Sequence, residues 1–488
     1  MTLGDILDAA CDRDPASIAV VCGDAKVTRE ELKRTSSALA SCLIEGGLTP
    51  GCRVAIHWSN SIEVVTLYFA CFKAGLIAVP INIRLKAPEV AWILGHSQPS
   101  ICFSQPQFNP LITQATAEAL INVPLHSSLP TLSSGLIDLP PRDANEPCAI
   151  FYTSGTTARP KGVTHSHASL AGTARLAGTL FPAPGAITMS LTQVSHMAAM
   201  TLLLPTLLGS HTAVLLPAFD PGAALDLIER HRVDIVVGLP VLLTMMAEEQ
   251  SQRPRDVSSL RACLVGGDSA PLTLHEKYRD LFSVPLYEAI GMSESVPISW
   301  NVEGDVRPGS CGKPRLGVET RIVPLQGNSS GVGELIARSP ATFIHYWRDP
   351  EATAETLRDG WIHTGDLVRQ DADGYLWFAG RLKQIIIRGG SNIAPQEVEE
   401  ALYQHPSVLE AGVIGIPDPP WGQVVGAGVV LRENHSASEE ELRDFTRVRL
   451  ADYKVPERVS FLPTLPKGPT GKVDRRTLAE MLPGRQGK

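Results

Sequence analysis

Two textures alternate along most of the chain, and that alternation limits the fold more than any other feature. Helical patterns such as REELKRTSSALASCLIEGG (29–47) give way to short apolar runs such as RVAIHW (53–58) and LIAVPI (76–81). The alternation holds through residues 15–145. It resumes from 211 to 300 with TAVLLP, ALDLIERHR, VDIVVGLP, ACLVGG and VPLYEAIG. Short apolar strands separated by amphipathic helices predict α/β layers around a largely parallel sheet. From about residue 303 the texture becomes β-rich, with GELIARS and GYLWFAGR. A last unit then carries APQEVEEALYQHP as a helix, with AGVIGIPD and GAGVVL as strands. At 488 residues the chain is too long for one ordinary domain. The expected organisation is a large N-terminal domain over 1–382 and a small α+β C-terminal domain over 383–488.

Composition excludes several classes. A formal net charge of -8 leaves no surplus basic face for nucleic acid. Nine cysteines lie singly between Cys11 and Cys311 with no CxxC, which fits a reducing cytoplasm and gives no zinc pattern. The N-terminus MTLGDILDAACDRDP has early acids and no apolar h-region, so it does not read as a signal peptide. The most apolar stretch (198–219) is interrupted by Pro205, Gly209 and His211. It reads as helix, turn and strand within a core and not as a membrane span.

After the apolar run CAIF comes YTSGTTARPKGV (152–163), and then SHASLAGTARLAG, a helix with Ser166 as its N-cap. A glycine-rich turn after a strand can aim several backbone N–H groups at a phosphate, with a lysine supplying balancing charge. A Walker A loop needs G-x-x-x-x-G-K-[ST]. Here Pro160 stands at the second glycine and Gly162 replaces the magnesium-binding hydroxyl. A Walker-type kinase or ATPase is therefore not the expectation.

YTSGTTARPKG resembles the phosphate-binding loop of the adenylate-forming acyl-CoA synthetase superfamily, with Ala158 in place of the usual glycine. Further elements follow in that family's order: EAIGMSES (288–295), WIHTGDL (361–367), GRLKQIIIRGGSNIAPQEVE (380–399) and PKGPTGKVDRR (466–476). The resemblance covers nearly the whole chain. It implies an ATP-dependent carboxylic acid–coenzyme A ligase. The acid attacks the α-phosphate of ATP to give an acyl-adenylate and pyrophosphate, and coenzyme A then displaces AMP.

The resemblance also implies site residues. Thr153, Ser154, Gly155, Thr156, Thr157 and Lys161 would cradle the β- and γ-phosphates, with Arg159 either assisting or solvated. Ser293 would contact the α-phosphate, and Glu294 would associate with Mg2+. Ile290 stands where an adenine-stacking tyrosine is common. Asp366 would accept both ribose hydroxyls, Arg381 would reach the ribose or a phosphate, and Lys472 would stabilise the attacking carboxylate and α-phosphate. Lys383 would be the hinge about which the small domain alternates between the half-reactions.

On the thiol side, Trp421 and the small Gly389 and Gly390 would border the pantetheine channel, with core packing as the other reading of Trp421. Arg84 resembles an arginine that contacts the coenzyme A nucleotide. Val455 and Glu457 stand where benzoate-type ligases can be basic. His196 would sit beside the acyl carboxylate. Met197, Ala198, Gly238, Gly266, Gly267, Gly291, Met292 and Val296 would line a small apolar pocket. TQVSHMAAM (192–200) carries no aspartate to hold an ammonium, so an amino acid is not expected. Asp268 either caps a helix or faces the acid. The acid is expected to be aromatic or arylalkanoic. A short- or medium-chain fatty acid, or transfer to a carrier-protein thiol, is the alternative. The partner is thus a small-molecule carboxylic acid, and a homodimer is compatible with the resemblance.

Overall fold

A computed structural model describes residues 1–130, 136–139, 142–153, 159–180, 185–268, 270–325, 331–389, 391–468 and 472–482. The chain divides into two compact units. The first comprises Met1–Gly267, His275–Glu319 and Ala337–His363, and the second Asp268–Leu274, Thr320–Ile336 and Thr364–Lys488. The α/β expectation holds.

The first unit contains a nine-stranded and a seven-stranded sheet. In the nine-stranded sheet, strands Ile18–Cys22, Thr212–Leu215, Ile187–Ser190, Ile235–Gly238, Ala262–Val265 and Leu286–Met292 run parallel, in that spatial order. Antiparallel strands close both edges. In the seven-stranded sheet, Arg53–His57 lies between Ile77–Pro80 and Ile101–Ser104, all parallel.

The helix Ile62–Ala74 has ten buried residues among its thirteen positions, so it is apolar nearly all round. Ser61 caps it by accepting the Val64 N–H, and Gly75 ends it at φ 69°. Phe69 and Phe72 join Val54 and Ile56 of one sheet, Val20 and Leu215 of the other, and Met200 and Leu204 in one core. The apolar stretch near residue 200 is the helix Met197–Leu208 followed by the strand Thr212–Leu215, as its interruptions imply.

In the second unit a long hairpin, Val408–Asp418 with Gly422–Leu431, is extended by Ile386–Arg388, Ser391–Ile393 and Arg458–Phe461. Gly412 and Gly428 pair across the hairpin. A Cβ on either would stand 2.9 or 2.8 Å from a methyl of Leu478, so the two glycines make the seat for the helix Arg475–Met481. That seating fixes the segment carrying Lys472.

Candidate active site

The phosphate-loop region departs from the expected strand–loop–helix order. Lys161–Ser166 is a strand antiparallel to Pro147–Thr153, with Thr153 opposite Lys161, and the helix His167–Gly178 begins only after it. Val163 and Thr164 give that stretch its β character. The helix N-terminus, capped by Ser166, therefore does not adjoin the loop, and a phosphate there would rely on loop donors and Lys161. Ser154, Gly155, Thr156 and Thr157 lie outside the described residues. Gly162 must be small, because a Cβ would meet Ile150 Cγ2 at 2.9 Å and Trp347 Cβ at 3.1 Å. Arg159 stacks on Trp92 with 4.5 Å from guanidinium to ring. It edges a cavity of about 430 Å³ lined also by His96, Lys161, Trp347 and Asp349.

Ser293 and Glu294 form the turn between strands Leu286–Met292 and Ser295–Trp300, where Met292 pairs with Ser295. Glu294 is thus in a hairpin turn. Three contacts fix the turn. His165 Nε2 lies 2.8 Å from the Ser293 carbonyl, the Phe343 N–H donates to the Glu294 carbonyl at 2.7 Å, and the Tyr346 hydroxyl donates to Glu294 Oε1. The carbonyl requires His165 to carry its proton on Nε2, so Nδ1 accepts from the Ser169 hydroxyl at 3.0 Å. Burial lowers the His165 pKa to about 4, keeping the ring neutral. Burial, and then the Glu294 carboxylate, raise the Tyr346 pKa, so the phenol remains a donor. Lys161 Nζ stands 4.8 Å from the Tyr346 ring centroid. Lys161, Tyr346 and Glu294 are thereby linked, although Tyr346 carried no motif signal.

Among the described residues no group of three His, Cys, Asp or Glu could cage a metal. Magnesium fits here only with Glu294 as a lone carboxylate, its shell completed by phosphate oxygens and water.

The acid-pocket candidates emerge at one end of the nine-stranded sheet. Gly238, Gly266 and Gly291 lie at the carboxyl ends of three adjacent parallel strands, and the His196 segment follows the fourth, Ile187–Ser190. Crevices beyond the carboxyl ends of parallel strands are where open α/β sheets take ligands. The glycines differ in function. A Cβ on Gly238 would stand 2.9 Å from Leu191 Cδ1, and one on Gly291 2.8 Å from Val296 Cγ2, so both are demanded by packing. Among the described residues a Cβ on Gly266 would meet nothing nearer than the Ala289 carbonyl at 3.9 Å. Gly267 has φ 84°. His196 precedes the helix Met197–Leu208, and its Nε2 lies 3.1 Å from Asn82 Nδ2. Met197 is in the core, Met292 and Val296 are half-buried, and Ala198 is exposed. Ile290 is buried opposite Ser299. Arg84 is exposed.

In the second unit, Asp366 and Arg381 pair across antiparallel strands, with Arg381 Nε 3.0 Å from Asp366 Oδ1. Beyond that ion pair, buried Oδ1 has no hydrogen-bond partner among the described residues. An acceptor awaiting a donor fits a ribose hydroxyl. Burial raises the Asp366 pKa, opposed by Arg381 and Lys472. Burial also lowers the Lys472 pKa, with Arg381 acting in the same direction and Asp268 and Asp366 opposing. These four groups share one electrostatic neighbourhood. Asp268 is not a helix cap, since the following helix starts at Leu272. Lys472 lies in a loop closed by the Lys467–Val473 bridge and by Gly468 N–H on the Lys472 carbonyl. Arg475 ties it down, donating to Glu399 and to the Val413 carbonyl.

Trp421 is 50% exposed, so it is not core. Its carbonyl accepts the Gly389 N–H at 2.8 Å, and a Cβ on Gly389 would stand 2.9 Å from its ring. Arg388 lies 5.6 Å over the ring and is held by Glu457 and the Tyr453 carbonyl. Lys383 is exposed in a single 3-10 turn. Gly390 lies outside the described residues.

Residues 7–347 match the family described as AMP-binding enzyme, and residues 397–472 match the AMP-binding enzyme C-terminal domain. Over 475 residues the chain is 37% identical to a feruloyl-CoA synthase of an Amycolatopsis species, covering 94% of each. It is 33% identical over 506 residues to an indoleacetate–CoA ligase of Aromatoleum aromaticum, covering 99% of this chain and 98% of that one. A solved structure of an anthranilate CoA ligase in complex with anthranoyl-AMP superposes with TM-score 0.91 at 29% identity, covering 99% of this chain and 97% of that chain.

Proposed function

The chain belongs to the AMP-binding enzyme family, and from that premise we propose that it is an acid–coenzyme A ligase for an aromatic or arylalkanoic acid. It is an acid–thiol ligase that works through an acyl-adenylate. The observation that carries the choice of acid is the gathering of Gly238, Gly266 and the His196 segment at the carboxyl ends of neighbouring parallel strands, with room for a Cβ at Gly266 among the described residues. The feruloyl, indoleacetate and anthranilate ligases all act on ring-bearing acids by name, which supports the same choice.

In the first half-reaction a carboxylate oxygen attacks the α-phosphorus, and the bond to the bridging oxygen of pyrophosphate breaks. Charge accumulates on two mutually repelling partners, so fixed donors and cations are what the protein must supply. Thr153, Lys161 and the intervening loop hold the β- and γ-phosphates. Ser293 meets the α-phosphate, and His196 meets the acid. Asp366 accepts the ribose hydroxyls, Arg381 stands beside it, and Lys472 spans carboxylate and α-phosphate. Magnesium, arriving with the phosphates, would be held by Glu294 and would neutralise phosphate charge. In the second half the coenzyme A thiol gives up its proton and attacks the acyl carbon, and AMP leaves. Gly389, Gly390 and Trp421 line the approach, Arg84 takes the nucleotide end, and Lys383 is the hinge between a domain ending at 382 and one beginning at 383. None of the nine cysteines is in a disulfide, which supports a reducing cytoplasmic setting. No helix among the described residues is long and apolar enough to cross a membrane. A homodimer is the proposed assembly, to be read by sedimentation.

The test is pyrophosphate release with ATP and magnesium across aromatic and aliphatic acids, each with and without coenzyme A. The expected result is release for ring-bearing acids that coenzyme A multiplies. Preference for straight-chain acids overturns the choice of acid, and indifference to coenzyme A moves the acceptor to a carrier-protein thiol.

A further inference from the structure

The helix Ala87–Ser97 carries Trp92 and His96 four positions apart on one face, with their rings stacked at 4.9 Å and 21°. Trp92 packs on the core cluster that contains Val79, Ile81 and Ile150, and Tyr152 packs on the same cluster. Among the described residues, the ladder that leads into the phosphate loop ends at Thr153 paired with Lys161. Each ring of the helix takes hold of one leg of that hairpin. On the exit leg, Trp92 Nε1 donates to the Pro160 carbonyl at 3.0 Å, and the Arg159 guanidinium lies 4.5 Å from the same indole. On the entry leg, the Tyr152 hydroxyl and His96 Nδ1 share a hydrogen bond of 2.8 Å. Gly162, the ladder partner of Tyr152, leaves room for that phenol, since a Cβ there would stand 3.2 Å from Tyr152 Cζ.

We infer that Trp92 and His96 are positioning residues that brace the two legs of the phosphate loop, and so set its donors and Lys161 before ATP arrives. This rests on the reading of Thr153, Lys161 and the intervening loop as the cradle for the β- and γ-phosphates. Fixed donors stabilise phosphate charge best when nothing has to reorganise as the phosphate binds. The two side-chain bonds tie the mouth of the loop, at both legs, to a helix outside the hairpin. That helix is itself seated on the core, so the mouth is held by more than its own ladder. Loosening either leg would spoil the shared aim of the donors at the two outer phosphates. AMP has neither of those phosphates, so the brace bears on ATP and not on AMP.

The test is titration calorimetry of the whole protein with ATP and, separately, with AMP, both in the presence of magnesium. Trp92→Phe keeps a ring for His96 and Arg159 to stack on and removes the indole N–H. It should raise the Kd for ATP roughly two- to tenfold and leave the Kd for AMP unchanged. His96→Phe and Tyr152→Phe each remove one partner of the other bond and should act in the same selective way. Because those two share a single bond, the double variant should be no worse than His96→Phe alone. Lys161→Ala tests the reading beneath the brace, and should also weaken ATP but not AMP. Equal weakening of ATP and AMP in Trp92→Phe would mean general support of the fold, and overturns the brace. Unchanged ATP binding in all three ring variants, with ATP binding lost in Lys161→Ala, overturns the brace alone. Unchanged ATP binding in Lys161→Ala overturns the phosphate-loop reading, and the brace falls with it.

Discussion

The hydroxyl of Tyr346 donates to Oε1 of Glu294 across 52 residues of sequence, and the ammonium of Lys161 stands 4.8 Å from the same ring. The phenol thus sits between the lysine at the phosphate-loop end of its hairpin and the carboxylate proposed to meet magnesium. Tyr346→Phe keeps the ring that Lys161 packs on and removes only the donor. The carboxylate then loses a charge-assisted bond of about 1.5–3 kcal/mol, which predicts a roughly ten- to hundredfold fall in kcat/KM for ATP. ATP–pyrophosphate exchange over a magnesium titration would measure it. Full activity at every magnesium concentration would show that Glu294 is oriented by something else.

The lysine loop yields a second prediction. Lys472→Ala should cripple formation of the acyl-adenylate while supplied acyl-adenylate still reacts with coenzyme A. Arg475 donates to Glu399 and Val413 from the start of the helix that follows Lys472, so it positions the loop without touching the chemistry. Arg475→Gln should therefore reproduce the same split between half-reactions, in a weaker form. Equal loss of both halves in either variant would sink the idea that one site is remodelled between them.

Much of the candidate site is readable along the chain because the phosphate, ribose and thiol chemistry proposed for it each need a compact run of particular residues. The turn at Ser293 and Glu294, the Asp366 strand and the Lys472 loop are all visible as short motifs. What escaped is what folding assembles from a distance. Tyr346 lies in HYWRDP, which has no chemical signature until its strand pairs with Lys161–Ser166. That strand itself is hidden, because six residues between a glycine-rich loop and a capped helix read as part of the loop. The placing of Glu294 in a hairpin needed Ser295–Trp300 to be seen as a returning strand, and VPIS carries a proline that argues against one.

Gly389 gives a prediction for the thiol half alone. It adopts φ 54°, and a Cβ would stand 2.9 Å from Trp421, whose carbonyl accepts its N–H. Gly389→Ala should cost about 1–2 kcal/mol of backbone strain and push the indole off its place beside Arg388. The expected outcome is a raised KM for coenzyme A with unchanged pyrophosphate release in its absence. A variant equally impaired without coenzyme A would mean the segment serves adenylation instead.

His165 makes stability depend on pH in a direction that can be worked out. Its folded pKa is lowered to about 4, by burial first, against an ordinary value of 6.5. Above 6.5 both folded and unfolded rings are neutral and nothing is lost. As pH falls from 6.5 towards 4 the unfolded ring takes a proton that the folded one refuses, so the unfolded state gains ground. Near pH 5 this amounts to about 2 kcal/mol from this one residue. His57 and His167 are also lowered to about 4 and contribute in the same window. They are common to wild type and variant, so comparing the two isolates His165. His165→Gln keeps a donor for the Ser293 carbonyl but has no proton to gain. Urea midpoints measured from pH 7 to pH 5 should fall more steeply for the wild type than for the variant, while the variant is the less stable at pH 7. Parallel curves would mean that His165 is charged in the folded protein, and the neutral ring holding the Ser293 turn would have to be abandoned.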